Sequence, residues 1–262
     1  MIKSISIVIP FYNEKKRILS CLNQIKKFKN KKIITEFILV DDGSSDGTDL
    51  IIKKFLKKNY KKGRLIKNKK NMGKGYALKM GVLKSKNQWI LTTDMDMSVP
   101  LKQILIWIKN KYLKKECSIY FGSREHNRST VEAKLYRKIL GIIFRILIKV
   151  LLKIKIKDTQ CGYKLYKNTI GKNIFRKLTM NKFDHDLEIV LNAKNINHSI
   201  IELPVKWSHK SSSKLNIFTD PIKMLYGIIL LSLRKNIREN NMFLQLLKKI
   251  INKKIKITHF YN

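Results

Sequence analysis

Short apolar runs alternate with segments of helical periodicity over the first 124 residues of the chain. An apolar run that ends at Gly, Pro or a cluster of polar residues is typical of a buried strand, and apolar positions three to four residues apart indicate a helix. The pattern predicts strands in 4–10, 36–42, 63–68, 88–94 and 117–124. It predicts helices in 14–28, 49–58, 73–85 and 101–113. Such alternation favours one α/β domain with a mostly parallel sheet covered on both faces.

The pattern changes after residue 124. Residues 138–157 are apolar around most of a helix, and Arg145, Lys149 and Lys153 recur every four residues as one cationic stripe. Residues 220–238 form a second candidate helix, followed by a basic tail. We expect two amphipathic helices that lie in a membrane interface. The alternative is that both pack on the domain or in a dimer. The predicted organisation is a catalytic domain over 1–218, including the helix at about 134–157, and a helix and tail over 219–262.

Composition limits the partners and the setting. The 262 residues carry a formal net charge of +39, which favours anionic partners such as nucleic acid, a membrane surface or a phosphorylated substrate, although a biased genome composition would also enrich lysine. No apolar run reaches the roughly 18–20 residues of a spanning helix, and the N-terminal apolar run is too short for a signal peptide. The three cysteines, with no CxxC pair, suggest neither a disulfide framework nor a zinc site. We therefore expect a peripheral protein on the cytoplasmic face of a membrane.

Acidic residues concentrate where predicted strands end. Asp41, Asp42 and Asp46 follow the second strand, and Asp94 and Asp96 follow the fourth. In open parallel sheets, ligands bind at the carboxyl ends of the strands. Two carboxylates one residue apart repel each other, and a divalent cation such as Mg²⁺ or Mn²⁺, completed by substrate phosphate oxygens, relieves that repulsion. A surface turn is the alternative for Asp94 and Asp96, and a capped helix start is the alternative for the loop after Asp41.

Four motifs carry a resemblance to a known family. The segments "VIPFYNE", "LVDDGSSDGT", "NMGKGYALKMG" and "TTDMDMSVP" occur in this order over residues 7–100 and resemble the motif series of family 2 glycosyltransferases, which have the GT-A nucleotide-sugar-binding fold. "DTQCGYKLY" and "VKWSHKSSSKLN" narrow the resemblance to polyprenyl-phosphate sugar transferases, nearest to the dolichyl-phosphate β-glucosyltransferases. The resemblance covers about residues 4–235.

The resemblance implies a nucleotide-sugar donor, UDP-glucose, and a lipid phosphate acceptor on dolichol or undecaprenol. It implies roles for two sets of residues. The donor set, which binds the nucleotide sugar and, through Asp94 and Asp96, a metal ion, is Pro10, Tyr12, Glu14, Asp41, Asp42, Gly73, Lys74, Asp94 and Asp96. The acceptor and catalytic set is Arg124, Arg137, Asp158 and Lys214, with Asp96 also contributing to catalysis. Asp184, at the start of a predicted helix, is a candidate contact for the sugar hydroxyls.

The chain departs from the family pattern at two places. Ser98 stands where mannosyltransferase relatives often have a glutamine, which leaves the metal coordination shell open. The N-terminal membrane anchor of the eukaryotic glucosyltransferase is not seen in this sequence, which favours a shortened version of the enzyme.

Four other functions are weighed against lipid-phosphate glucosylation. They are a mannosyltransferase that uses GDP-mannose, a family 2 enzyme that modifies a saccharide hydroxyl, an inactive protein that keeps the fold, and a nucleic-acid binder. Nucleic-acid binding is disfavoured because lysine is spread along the whole chain while the acids cluster at strand ends. The sequence leaves the sugar open, and it also leaves open a homo-oligomer or a membrane partner protein.

Overall fold

The computed structural model describes residues 2–28, 33–60, 62–132, 135–182, 184–209 and 225–233, with the backbone alone at 34–35, 135–141 and 143–144. The strands are β1 (Ile5–Phe11), β2 (Ile34–Asp41), β3 (Arg64–Lys67), β4 (Trp89–Thr92), β5 (Ile119–Ser123), β6 (Thr130–Glu132), β7 (Lys164–Lys167), β8 (Ile201–Pro204) and β9 (Lys206–Ser208). The helices are α1 (Ile18–Phe28), α2 (Thr48–Asn59), α3 (Lys74–Lys84), α4 (Gln103–Lys109), α5 (Leu135–Leu152), α6 (Asn168–Arg176) and α7 (His185–Asn195). A further helix, α8, includes residues 225–233.

Seven of the strands form one sheet in the order β3-β2-β1-β4-β7-β5-β8. β1 to β4 are parallel, and β5 is parallel to β8. β7 runs antiparallel to both of its neighbours, β4 and β5. The expectation of a mostly parallel sheet is confirmed, and the reversed β7 in its middle is a feature that the sequence pattern did not predict.

Helices cover both faces of the sheet, because the central strands are apolar on both sides. All seven residues of β1 are buried. On one face, Ile7 and Ile9 share a core with Ile18 of α1 and Trp107 of α4. On the other face α3 lies so close that a Cβ added at Gly81 would be 2.9 Å from Val40 Cγ2. Both faces are therefore closed to solvent, and the ends of the strands are left to bind a ligand.

The chain divides into two compact units, Met1–Ile139 with Ile156–Ser213 and Leu140–Lys155 with Lys214–Asn262. In the described part of the second unit, Ile148 and Leu152 of α5 are buried, as are Ile228 and Leu231 of α8. The Ser232 hydroxyl donates to the Leu151 carbonyl at 3.2 Å. The predicted domain boundary near residue 218 stays a prediction.

The exposed side of α5 carries three apolar residues beside Lys149. Ile142, Ile146 and Val150, spaced four residues apart, are 49, 57 and 67% exposed. The predicted cationic stripe is shorter than expected, because the helix ends at Leu152 and Lys153 takes a left-handed conformation with φ 53°. Lys153 therefore lies beyond the helix and leaves the stripe. Among the residues that the structure describes, no helix combines the length and the apolar character needed to cross a bilayer.

Candidate active site

The predicted site residues gather at one edge of the sheet. Phe11 pairs with Asp41 at the carboxyl ends of β1 and β2, and Thr92 pairs with Lys164 where β4 ends and the reversed β7 begins. The carboxyl end of β5 lies at the same edge, because Phe121 also pairs with Lys164. This edge therefore collects the segments that follow β1, β2, β4 and β5 and the segment that precedes β7.

The loops after β1 and β2 interlock. The Asp42 N–H donates to the Phe11 carbonyl at 2.8 Å, and the Ser45 N–H donates to Asn13 Oδ1 at 2.8 Å. Asn13 itself has φ 51°. Of the predicted nucleotide contacts, Pro10 is buried within β1, whereas Tyr12 is 38% exposed. Tyr12 is thus the side chain of this loop best placed to meet a planar ligand at the surface.

Glu14 and Asp41 have partners inside the protein. The Glu14 carboxylate forms an ion pair with Arg17, one turn further along the chain. Asp41 is fully buried, and its Oδ1 accepts the Ser44 N–H at 2.8 Å. Asp41 Oδ2 has no hydrogen-bond partner, and the Lys67 ammonium is 3.9 Å away. A buried carboxylate oxygen without a hydrogen bond is costly, so Asp41 Oδ2 is a candidate acceptor for an N–H or O–H of a ligand.

Asp42 organises the loop that follows β3. Its Oδ1 accepts hydrogen bonds from Asn68 Nδ2 at 2.9 Å and from the Met72 N–H at 3.0 Å. Its Oδ2 accepts the Gly73 N–H at 2.7 Å. Both oxygens of Asp42 therefore hold the turn that leads into α3, a role that the sequence reasoning had not assigned to it.

Residues 180–182 and His185 pack against the start of α3. The Gly75 N–H donates to the Asn181 carbonyl at 2.7 Å, and a Cβ at Gly75 would lie 2.6 Å from the Met180 carbonyl oxygen. Glu188 fixes this segment, since its carboxylate accepts hydrogen bonds from Thr179 N, Thr179 Oγ1 and Met180 N at 2.7–2.8 Å. Gly73 has φ 101°, a value that favours glycine. The glycines on both sides of Lys74 are thus required by close backbone packing.

The paired aspartates lie in the turn after β4. Asp94 Oδ1 meets Lys74 Nζ at 2.6 Å, and Asp96 Oδ1 accepts the Ser98 N–H at 2.9 Å. Gly162 packs directly on Asp94, because a Cβ at Gly162 would lie 2.7 Å from Asp94 Cγ. The sequence quartet "TDMD" therefore gives a turn that presents two carboxylates beside a lysine.

Asp94 and Asp96 suit a divalent cation whose coordination shell is completed by oxygen atoms of the substrate. No group of three His, Cys, Asp or Glu suited to a metal occurs among the described residues. Mg²⁺ and Mn²⁺ are commonly held by one or two carboxylates, with substrate phosphates and water completing the shell. Asp94, whose side chain is 37% exposed, and Asp96 can supply those carboxylates.

A buried ionic cluster lies behind Lys74. Lys164, only 1% exposed at the start of β7, forms an ion pair with Asp186 of α7, and His185 Nε2 lies 3.3 Å from Asp186 Oδ1. Burial would raise the pKa of Asp186, but His185, Lys164 and Lys74 lower it overall. Burial lowers the pKa of His185, against the opposing charge of Asp186. The sequence reasoning did not single out Lys164, because one buried lysine has no distinguishing signal among 57 Lys and Arg residues.

Arg124 and Asp158 form the second charged feature of the edge. Arg124 Nε and Nη2 each donate to the Asp158 carboxylate at 2.8 Å, and the Arg124 backbone N–H donates to it at 2.8 Å as well. The guanidinium carbon lies 5.8 Å from the centre of the Trp207 ring. Burial would raise the pKa of Asp158, but the Arg124 charge and hydrogen bonds lower it overall. Both Asp158 oxygens are engaged, so the geometry favours a positioning role over direct contact with a sugar.

The other predicted residues are placed as follows. Asp184 precedes α7, with Oδ1 buried and without a partner, and burial raises the pKa of its carboxyl. Arg137 lies in α5, where only the backbone is described, and Lys214 lies outside the described residues. Cys161 is buried beside Asp158, and burial followed by the Asp158 charge raises its thiol pKa to about 12, which leaves it unreactive at neutral pH.

Comparison with known proteins adds family relationships to this geometry. The family model described as "Glycosyl transferase family 2" matches residues 6–175. The chain is 34% identical over 242 residues to a dolichyl-phosphate beta-glucosyltransferase of Dictyostelium discoideum, which covers 88% of this chain and 74% of the relative. It is 30% identical to the human protein of the same name, over 88% of this chain and 76% of the relative.

Solved structures agree on the fold. A glucosyl-3-phosphoglycerate synthase from Mycobacterium tuberculosis, in complex with Mn²⁺, UDP and glucosyl-3-phosphoglycerate, superposes with a TM-score of 0.65 at 14% identity, covering 87% of this chain and 77% of that one. A mannosyl-3-phosphoglycerate synthase from Rubrobacter xylanophilus gives a TM-score of 0.62 at 13% identity, covering 90% of this chain and 74% of that one. The chain therefore has the GT-A fold.

Proposed function

Because the chain belongs to glycosyltransferase family 2, we propose that this glycosyltransferase moves glucose from UDP-glucose onto the phosphate of a polyprenyl lipid, dolichyl or undecaprenyl phosphate, with inversion at the anomeric carbon. Relatives that are 30–34% identical over most of the chain are named dolichyl-phosphate beta-glucosyltransferase. The donor is proposed by analogy with the fold neighbour that was solved with UDP.

One observation carries the proposal, namely that residues 158–162 contact both charged features of the site. Gly162 packs on Asp94, and Asp158 binds Arg124. The carboxylate pair suits a metal-bound diphosphate, and the arginine suits a phosphate monoester. The same short segment therefore links a donor-phosphate region to an acceptor-phosphate region, which is the arrangement that transfer between two phosphates requires.

The proposed sugar transfer does not require a general base. A lipid phosphate oxygen is already anionic at neutral pH, so it can attack the anomeric carbon while the bond from that carbon to the UDP oxygen breaks. The sugar goes to the lipid phosphate, and the electron pair stays on UDP. Asp158, held by Arg124, is not available as a base, and a phosphate acceptor needs none. Attack from the face opposite UDP converts an α-linked donor into a β-linked product.

The cations at the edge offset the repulsion between the two phosphates. Arg124 would bind the acceptor phosphate, and Lys74 would contact the donor diphosphate. Asp94 and Asp96 would hold Mg²⁺ or Mn²⁺, which when bound supplies Lewis-acid stabilisation of the departing diphosphate. Tyr12 and Asp41 would contact the nucleotide base or ribose, and Arg137 and Lys214 remain proposed phosphate contacts.

The acceptor's location suggests a membrane surface. The exposed apolar positions Ile142, Ile146 and Val150 of α5, together with Leu225 and Ile229 of α8, are suited to the interfacial layer of a bilayer. A net charge of +39 would add attraction to anionic headgroups. We therefore propose peripheral attachment at the cytoplasmic face.

The test is transfer of radiolabelled sugar from a panel of nucleotide sugars to dolichyl phosphate, undecaprenyl phosphate or a soluble glycan. We expect a β-linked glucosyl lipid from UDP-glucose, and loss of product in Asp96→Ala. Preferential use of GDP-mannose would contradict glucose as the transferred sugar. Transfer of label to the soluble glycan would contradict a lipid phosphate as the acceptor. A folded protein that binds no nucleotide sugar would contradict enzymatic function.

A further inference from the structure

Lys74 is the direct counter-ion of one of the two proposed metal ligands. Its ammonium lies 2.6 Å from Asp94 Oδ1, and the two side chains are 26 and 37% exposed. Two other carboxylates act on Lys74 through their charges: Asp186 is already paired with Lys164, and Asp96 accepts the Ser98 N–H. Asp94 is therefore the carboxylate that forms an ion pair with Lys74 in the ligand-free protein.

The backbone around Lys74 is fixed from two sides, so the ammonium has a restricted range of positions. Asp42 accepts the N–H groups of Met72 and Gly73 at 3.0 and 2.7 Å. The Asn181 carbonyl accepts the Gly75 N–H at 2.7 Å. Lys74 can turn about its side-chain bonds, but its Cα stays beside the Asp94–Asp96 turn.

A divalent cation and an ammonium compete for the same carboxylate. A doubly charged ion that approaches Asp94 must displace Lys74 Nζ or bear its repulsion, which is strong at a partly buried site. A nucleotide diphosphate removes this conflict, because its oxygens can bind the metal ion and accept hydrogen bonds from the displaced ammonium.

We propose that Lys74 is a built-in counter-cation of Asp94 that is exchanged for the metal ion only when a nucleoside diphosphate arrives, so that metal and nucleotide bind as a unit. The proposal rests on the donor chemistry of the proposed function. By linkage, the factor by which the nucleotide tightens metal binding equals the factor by which the metal tightens nucleotide binding. Lys74 sets a large part of that factor.

The experiment measures Mn²⁺ binding by electron paramagnetic resonance, with and without UDP, in the full chain. In the parent protein we expect weak binding of Mn²⁺ alone and much tighter binding with UDP. In Lys74→Met we expect Mn²⁺ alone to bind roughly tenfold more tightly and the gain from UDP to shrink by a similar factor. Unchanged or weaker binding of Mn²⁺ alone in Lys74→Met would overturn the proposal.

Three variants complete the design. Lys84→Met removes an exposed ammonium at the far end of the same helix and should match the parent protein. Lys74→Arg keeps the charge and should bind Mn²⁺ alone as weakly as the parent does, and a tenfold gain in this variant would contradict the counter-cation role. Asp94→Asn should lose Mn²⁺ binding in both conditions, and retained binding would remove Asp94 from the exchange.

The Mn²⁺ titration requires neither the acceptor lipid nor sugar transfer. It therefore tests the Lys74 exchange separately from the proposed function. The expected Mn²⁺ shift in a protein that transfers no sugar would support the exchange and contradict the proposed function. Sugar transfer without the shift would leave the proposed function in place and overturn the exchange. Thermal melts of each variant show that the binding data come from folded protein.

Discussion

Asp158 holds Arg124 through two parallel side-chain hydrogen bonds and a third from the Arg124 backbone N–H, all of 2.8 Å. This bidentate geometry fixes the plane of the guanidinium, while Trp207 lies against it. Such a pair orients the cation and leaves it N–H donors that Asp158 does not occupy, because the guanidinium has five N–H groups and the carboxylate takes two of them. The remaining N–H groups can bind a phosphate.

The first prediction follows from that orientation. Asp158→Asn should lower sugar transfer roughly 10–100-fold, because a misplaced phosphate-binding group costs reactive geometry. The loss should appear mainly as a higher KM for the lipid phosphate, with UDP affinity nearly unchanged. Steady-state kinetics with varied acceptor, beside UDP calorimetry, measure both. Glu116→Gln, which alters an exposed carboxylate, is the control. An equal loss of donor affinity would contradict an acceptor-side role.

The second prediction concerns stability against pH. Arg124 lowers the pKa of Asp158 in the folded protein, against the opposing effect of burial, while the unfolded value is about 3.9. The Asp158 contribution is therefore fully present above about pH 4 and is lost as pH falls through the lower folded value. Urea unfolding from pH 7 to pH 2 should show a shallower acid loss in Asp158→Asn than in the parent. Parallel curves would exclude this contribution.

The third prediction concerns Gly162. A Cβ at this position would lie 2.7 Å from Asp94 Oδ1 and Cγ, so Gly162→Ala must displace the Asp94 carboxylate. We expect Mn²⁺-dependent UDP binding to weaken about tenfold or more, with a smaller effect on the melting temperature. Gly47→Ala is the control, because an added Cβ there meets no atom within 4 Å, although its φ of 80° adds backbone strain that Gly162→Ala does not carry. A loss of binding in Gly47→Ala equal to that in Gly162→Ala would refute the prediction.

The fourth prediction concerns Glu188, which anchors the segment that packs on Gly73 and Gly75. In Glu188→Gln the amide oxygen can keep both backbone N–H bonds only with its NH2 turned to Thr179 Oγ1, and all three bonds lose their charge assistance, so the free energy of unfolding should fall by about 1–2 kcal/mol. Donor KM should rise several-fold as the start of α3 loosens. Thr179→Val removes the hydroxyl bond to Glu188 and should cost about 1 kcal/mol. Chemical unfolding and donor titration check both, and a larger loss in Thr179→Val would contradict the assignment.

The fifth prediction tests membrane attachment. Ile146 is 57% exposed on α5, and burial of that exposed part in a bilayer would contribute about 1–2 kcal/mol. Ile146→Glu should therefore reduce sedimentation with phosphatidylserine-containing vesicles at least tenfold. Leu50→Glu alters an exposed leucine (66%) of α2 in the other compact unit, and it should bind as the parent does. Equal losses in both variants would point to net charge rather than to the apolar face of α5.

The sequence pattern predicted the parallel part of the sheet because those strands are continuous apolar runs with polar ends, as in β1 and β2. It placed Asp42 and Asp94 at the correct edge of the sheet, because the end of a strand can be recognised from a few neighbouring residues in the sequence. Helix limits were less accurate: a helix from residue 14 was predicted, whereas α1 begins at Ile18. The turn before it is set by hydrogen bonds such as that from the Glu14 N–H to Thr48 Oγ1, which join residues 34 positions apart.

Features that depend on distant pairing were not predicted. The strand "KLYK" has no local mark of its direction, because an antiparallel course depends on which neighbours it joins. The pair between Lys164 and Asp186 joins residues 22 positions apart, and the engagement of Asp158 by Arg124 joins residues 34 apart. Each contact joins two charged residues that a linear sequence gives no reason to pair.

The reversed course of β7 has a consequence for how this site is built. In a fully parallel sheet, only segments that leave a strand can reach the ligand-binding edge. A strand inserted in the opposite direction delivers the residues that enter it, here Asp158 to Gly162, to that edge. Because Gly162 packs on Asp94 and Asp158 binds Arg124, a change in this segment acts on both charged features of the site at once. Its length and sequence are therefore constrained from two sides.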